Sequence, residues 1–171
     1  DVALEGFADL LTDTGARLGF RFGPRQVFTD WWRAGLAAGL VVYLAAHDPK
    51  EPGRTLGGLL LYRHGDRLST VHSGDVADIR DQHPGIMHLL RWRAIQLAIR
   101  EGRREMDLGG VDVGPDHAEP APGSPMAGLY EHKRSFGASW VAMTGAHERV
   151  ASPLRASLGR VATRVGRIVG R

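Results

Sequence analysis

Apolar side chains recur at helical spacing from the start of the chain. Leu4, Phe7, Ala8 and Leu11, with Leu18 just beyond, place one apolar face on residues 4–17, which predicts an amphipathic helix. Pro24 suits the opening of a second helix, whose apolar face is Val27, Trp31, Trp32 and Leu36 and which Gly39 ends. The period then changes. Residues 40–46 and 57–62 are short continuous apolar runs separated by the Asp, Pro and Gly cluster of 48–53, and a third run over 68–72 follows the Gly65-Asp66 turn. Such runs between turn residues predict three strands in an antiparallel meander.

From Pro84 to about residue 100 the chain is apolar over more than half of a helical circumference, through Leu89, Leu90, Trp92, Ala94, Ile95, Leu97, Ala98 and Ile99, and Gly102 stops it. A helix of that kind packs on a sheet, and Trp31 and Trp92 at apolar helical positions are expected in the core. Residues 104–108 read as a strand, 111–126 as a long loop, 127–135 as a short helix and 139–144 as a last strand. A tail helix starts at Pro153. The order α-α-β-β-β-α-β-α-β-α is mixed α/β around one sheet.

Length and composition narrow the classes. A chain of 171 residues makes one ordinary domain and buries enough surface to need no covalent staple. Cysteine is absent, which removes disulfides, thiolate metal sites and cysteine nucleophiles together. No stretch approaches ~18 apolar residues, and no signal-peptide pattern opens the chain. A start at Asp1 without methionine leads us to expect a fragment. The net charge of +3 is unevenly spread. Residues 149–171 hold six arginines and no acid, so the other 148 residues, with 16 basic and 19 acidic side chains, carry a net −3. Basic character lives in the tail. There Leu154, Leu158, Val161, Val165 and Ile168 form one stripe and Arg155, Arg160, Arg164 and Arg167 fill the remaining arc, a basic amphipathic helix suited to a polyanion or to packing back on the domain.

Chemistry concentrates between Arg80 and Gly137. The pieces, in order, are Pro84 at a helix start; Leu89-Leu90-Arg91-Trp92 with Ile95, Ala98 and Gly102; the strand Met106-Asp107-Leu108-Gly109-Gly110; and Gly128-Leu129-Tyr130-Glu131-His132-Lys133-Arg134-Ser135-Phe136-Gly137. This series resembles the Fem family of aminoacyl-tRNA-dependent peptidyltransferases. The resemblance covers nearly the whole chain but only half of a typical member, the second of two tandem GNAT-like domains. It implies a GNAT-like acyltransferase fold over residues 1–148, a mostly antiparallel sheet flanked by helices, followed by the basic helix of 149–171. It further implies transfer of an amino acid from aminoacyl-tRNA to an amine of a lipid-linked or nucleotide-linked peptidoglycan precursor, with no cofactor. The setting it implies is the cytoplasm, peripheral at the inner membrane face, with a further GNAT-like domain upstream.

Lys133 matches the family lysine, so the resemblance assigns it a cation near the reacting carbonyl. On a helix Tyr130, Lys133 and Phe136 share a face, and the two aromatic rings are expected to cover the lysine stem and leave its ammonium at a cleft. The plain alternative is a solvated surface lysine. Asp107 with Gly109 and Gly110 reads either as a substrate-lining wall or as a strand-end turn in which the aspartate caps a local amide. Arg80 precedes the main helix and either meets a phosphate or pairs with Asp78 or Asp81. Asp112, Asp116, His117 and Glu119 match no metal-ligand spacing, and no metal site is expected.

An acetyl-CoA-dependent N-acetyltransferase is the rival with the same element order. Its pyrophosphate would rest on free amides where the main helix starts. Here that turn, from Arg80 to Met87, holds one glycine and a proline without an N–H, and Met87 and His88 bring bulk where a phosphate would need close approach, which favours a ligand other than CoA. A non-catalytic module that binds RNA or an envelope partner is a third reading.

Overall fold

The structure, a computed structural model, describes residues 2–19, 23–77, 82–111, 119–124, 126–143, 149–152 and 157. These fall into two units, residues 1–139 and residues 140–171. The first holds α1 (Val2–Leu18), α2 (Arg25–Ala37), β1 (Val41–His47), β2 (Thr55–His64), β3 (Arg67–Asp75), α3 (Ile86–Arg100), β4 (Glu105–Asp107) and α4 (Ala127–Arg134). Among the described residues the sheet runs β1-β2-β3-β4. The first three strands form the expected antiparallel meander. After the α3 crossover, β4 lies parallel to β3.

The central strand explains why its sequence shows no alternation. Leu59 and Leu61 pack under α3 with Leu68, Leu90, Ala94 and Ala98, while Leu60 joins Leu4, Phe7, Leu11 and Trp32 on the α1–α2 face. Helices cover both faces, so every position can be apolar. Each leucine fully withdrawn from water contributes roughly 1.5–3 kcal/mol. Two glycines let the layers come close. A β-carbon at Gly57 would lie 2.7 Å from the Ile86 methyl of α3, and one at Gly58 would strike the Phe7 ring of α1.

Three expectations need correction. Trp32, not Trp31, fills the core: its ring is fully buried, with centroids 5.3 Å from Phe7, 4.9 Å from Phe28 and 5.6 Å from His72. Trp31 sits at the rim, edge-on to Tyr62. On α3 the inward arc is Leu90, Arg91, Ala94 and Ala98, so Leu89, Trp92 and Ile99 face outward, with Trp92 50% exposed. Apolar residues around most of the helix hid which arc packs. Finally, residues 139–143 form no strand; an apolar run becomes one only where a neighbour supplies the ladder. The tail helix, with Arg155, Arg160, Arg164 and Arg167, lies outside the described residues.

Candidate active site

The sheet opens at one place. Along β3 the partner on β2 jumps from Thr70 (opposite Leu61) to His72 (opposite Leu60), so Val71 is an extra, unpaired residue. Such a bulge bends the strand and frees backbone groups. On the other side β4 pairs with β3 only through Arg67–Glu105, Leu68–Met106 and Ser69–Asp107, whereas β3 continues to Asp75. Beyond Ser69 this edge of β3 therefore has no strand beside it among the described residues. The buried Thr70 hydroxyl has no hydrogen-bond partner there.

A local turn makes β4 leave. The Gly109 N–H donates to Asp107 Oδ1 at 2.7 Å, so Asp107 caps the turn at its own strand end, the plainer of its two readings. Gly109 has φ of +81°, a conformation that excludes ordinary side chains. A β-carbon there would also stand 3.4 Å from the Thr70 carbonyl oxygen and 3.7 Å from Lys133 Nζ.

Lys133 reaches this turn from α4. Its ammonium donates to the carbonyls of Gly109 at 2.7 Å and Gly110 at 2.6 Å, and the residue is only 8% exposed. Burial pushes its pKa down to about 8; the Arg91 charge acts in the same sense and Asp107 opposes. The expected open lysine tip is thus corrected to a buried clamp, because two carbonyls lie within its reach. The two flanking aromatic residues have further partners of their own. The Tyr130 hydroxyl donates to Glu119 at 3.1 Å, and the Phe136 ring packs on His88 and His132.

Next to the opening, the start of α3 borders a cleft of about 220 Å³, lined by Asp75 and Val76 at the end of β3, by residues 83–88 and by His132. The helix begins at Ile86 behind a left-handed Gly85, φ +89°, later than the proline suggested. Its first internal bond runs from Leu89 N–H to the Gly85 carbonyl at 2.8 Å. The amides of Ile86, Met87 and His88 are not consumed by the helix. Pro84 precedes them, so the proline takes no donor from the first turn of the helix, and that part of the expectation against CoA is corrected; the single glycine and the bulk of Met87 and His88 stand as the sequence has them.

Three residues that the pattern did not single out sit beside this cleft. Arg91 is 3% exposed, and burial pulls its guanidinium below its usual pKa. Its Nε–H donates to His132 Nε2 at 2.7 Å, and its Nη1 lies 3.4 Å from the Leu108 carbonyl. His132 Nδ1 is 3.1 Å from His88 Nε2. Burial, then the Arg91 charge, then His88 and Lys133, push His132 down to about 4, with Asp75 opposing. An arginine set within the apolar run from Leu89 to Ile99 was the available signal.

Of the residues singled out in the sequence, Asp107, Gly109, Gly110 and Lys133 come together, while Tyr130 and Phe136 point to other partners. Arg80, Asp112, Asp116 and His117 lie outside the described residues. Glu119 is taken by Tyr130 and Arg134. Among the described residues no cluster has the makings of a metal site, and no helix is long and apolar enough to cross a membrane.

Known proteins add a frame. A family model described as an acetyltransferase (GNAT) domain matches residues 1–134. No curated protein matches the sequence. Among solved structures, the aminoglycoside antibiotic 6'-N-acetyltransferase AAC(6')-IG of Acinetobacter haemolyticus is similar at TM-score 0.61 and 10% identity, covering 89% of this chain and 95% of that one. AAC(6')-Iy, in complex with the bisubstrate analogue CoA-S-monomethyl-acetylneamine, is similar at TM-score 0.60 and 12% identity, covering 86% and 92%. A predicted acetyltransferase from Clostridium acetobutylicum, solved with acetyl-CoA, is similar at TM-score 0.59 and 10% identity, covering 88% and 92%.

Proposed function

The chain belongs to the family of GNAT acetyltransferase domains, and from that premise we propose that it moves an acyl group from acetyl-CoA to an amine. The observation that carries this reading is the first turn of α3, whose amides the helix itself leaves open, beside the edge of β3 that β4 leaves after Ser69. The amides of Ile86, Met87 and His88 suit the donor's pyrophosphate, since a helix N-terminus combines free N–H groups with a favourable dipole. The β3 edge beyond Ser69, with the orphaned Thr70 hydroxyl, suits the amides of an extended pantetheine arm. Similar structures with acetyl-CoA and with a CoA bisubstrate analogue support the choice of donor.

In the reaction the acceptor amine attacks the thioester carbonyl carbon, an oxyanion forms, and the C–S bond breaks to release CoA while the nitrogen loses a proton. The protein's part is placement and charge stabilisation. Backbone groups freed by the bulge at Val71 are suited to the oxyanion. Lys133, engaged with two carbonyls, holds the Gly109–Gly110 wall of the opening in place.

A second reading keeps the same fold and changes the donor to aminoacyl-tRNA and the acceptor to a peptidoglycan-precursor amine. The stretch from Gly128 to Gly137 favours it, and Arg155, Arg160, Arg164 and Arg167 are then the groups for the tRNA backbone. Labelled acetyl-CoA and labelled aminoacyl-tRNA, each offered with a panel of amines including peptidoglycan precursors, separate the two. We expect label to move from acetyl-CoA. Transfer from the tRNA alone overturns the first reading in favour of the second, and transfer from neither overturns both.

A further inference from the structure

We propose that Arg91 and His132 are positioning residues that fix the proton of His88 on Nδ1, so that His88 gives the cleft an N–H donor and not a base. The claim that this donor meets the acyl donor's phosphates rests on the acetyl-CoA reading above; the tautomer itself does not.

A guanidinium only donates, so the 2.7 Å contact from Arg91 Nε makes His132 Nε2 an acceptor. A neutral imidazole carries one proton, which in His132 must therefore sit on Nδ1. That N–H faces His88 Nε2 at 3.1 Å, so Nε2 of His88 accepts, and the His88 proton is left on Nδ1. Protonating His88 on Nε2 would set two N–H groups against each other, and protonating His132 would set its Nε2 against Arg91. Either event breaks the chain.

The surroundings reinforce the neutral form. Arg91 from α3 and Lys133 from α4 place two cations near His132, and among the described residues Asp75 from β3 opposes them. His83, ahead of α3, lines the same cleft. Packing holds the geometry: the two rings meet edge to face with centroids 4.1 Å apart, and the Phe136 ring lies against both. Arg91 cannot swing away, being 3% exposed and directed also at the Leu108 carbonyl. Metal-ligating and triad histidines are oriented in the same way, the partner of one ring nitrogen deciding what the other offers. Here it gives an N–H donor to a residue that lines the cleft together with Ile86 and Met87 of the α3 first turn.

The test is nitrogen NMR of the intact chain labelled at histidine, near pH 7.5, with acetyl-CoA affinity measured in parallel by calorimetry. In the wild type both His88 and His132 should show a protonated Nδ1 and a bare Nε2. In His132→Phe, His88 should move toward the Nε2–H form that free imidazole favours, and acetyl-CoA should bind about tenfold more weakly, the worth of one hydrogen bond to a charged group. Arg91→Lys, which keeps a cationic donor, should hold the wild-type tautomers more fully than Arg91→Met. If Arg91→Met fails to fold, His132→Phe carries the test. A wild-type His88 protonated on Nε2, or one unchanged in His132→Phe, overturns the positioning role. Equal acetyl-CoA affinity in wild type and His132→Phe overturns the donor role. Wild-type protein that shows the expected tautomers but binds no acetyl-CoA overturns the donor role through the acetyl-CoA reading and leaves the tautomer assignment standing.

Discussion

Lys133 holds the carbonyls of Gly109 and Gly110 from a place with little access to water. Methionine would fill the space of its stem and supply neither bond. We expect Lys133→Met to lower stability by about 2 kcal/mol, since charge-assisted bonds are worth ~1.5–3 kcal/mol each and relief of the ammonium's desolvation offsets part of the loss. Urea unfolding checks this. An unchanged midpoint would return the lysine to a solvent-facing role. His132 gives a second prediction, on pH. Its folded pKa lies near 4 against an ordinary 6.5, so between those values the unfolded chain binds the proton first. Stability should fall as pH drops through that window and level off below it. His132→Phe should flatten that part of the profile in denaturant melts taken from pH 7 to pH 4.

At the scale of elements, the start of α3 is set by how closely it can lie on β2. Gly57 is the contact: an added methyl group would meet the Ile86 side chain at 2.7 Å, with Leu90 next at 3.5 Å. Gly57→Ala should cost about 1–3 kcal/mol as overpacking, and because Ile86 opens α3 it should also weaken acetyl-CoA binding. A thermal melt and a titration on the same variant check both effects, and an Ala variant that matches wild type in both would show that the helix start tolerates displacement. The elements themselves were legible in sequence. Apolar runs marked β1 to β3 because helices cover both faces of β2, and Gly102 and Gly39 marked helix ends. What the pattern hid is which side of each helix packs. Trp31 and Trp92 look like core on a helical wheel, yet Trp32 and Arg91 take the inward positions, a choice made by the sheet beneath them and absent from local periodicity.

For the molecule as a whole, the β3–α3–β4 crossover sets the start of α3 beside a strand that its neighbour abandons after Ser69. The motifs at Asp107-Leu108-Gly109-Gly110 and at Lys133 pointed to this region from sequence, and the acetyltransferase family match places the chain in its superfamily. Where α3 starts was not legible, because Pro84 reads as a helix residue while the helix begins at Ile86.

The central claim is that the first turn of α3 receives the phosphates of an acyl-CoA. The most direct test is to follow backbone amide resonances while CoA is added. Saturable shifts are expected at Ile86, Met87 and His88, accompanied by Thr70 and Val71 at the bulge, with the remote end of α3 around Glu101 unmoved. Saturation without change at those three amides, or shifts confined to other surfaces, would contradict it.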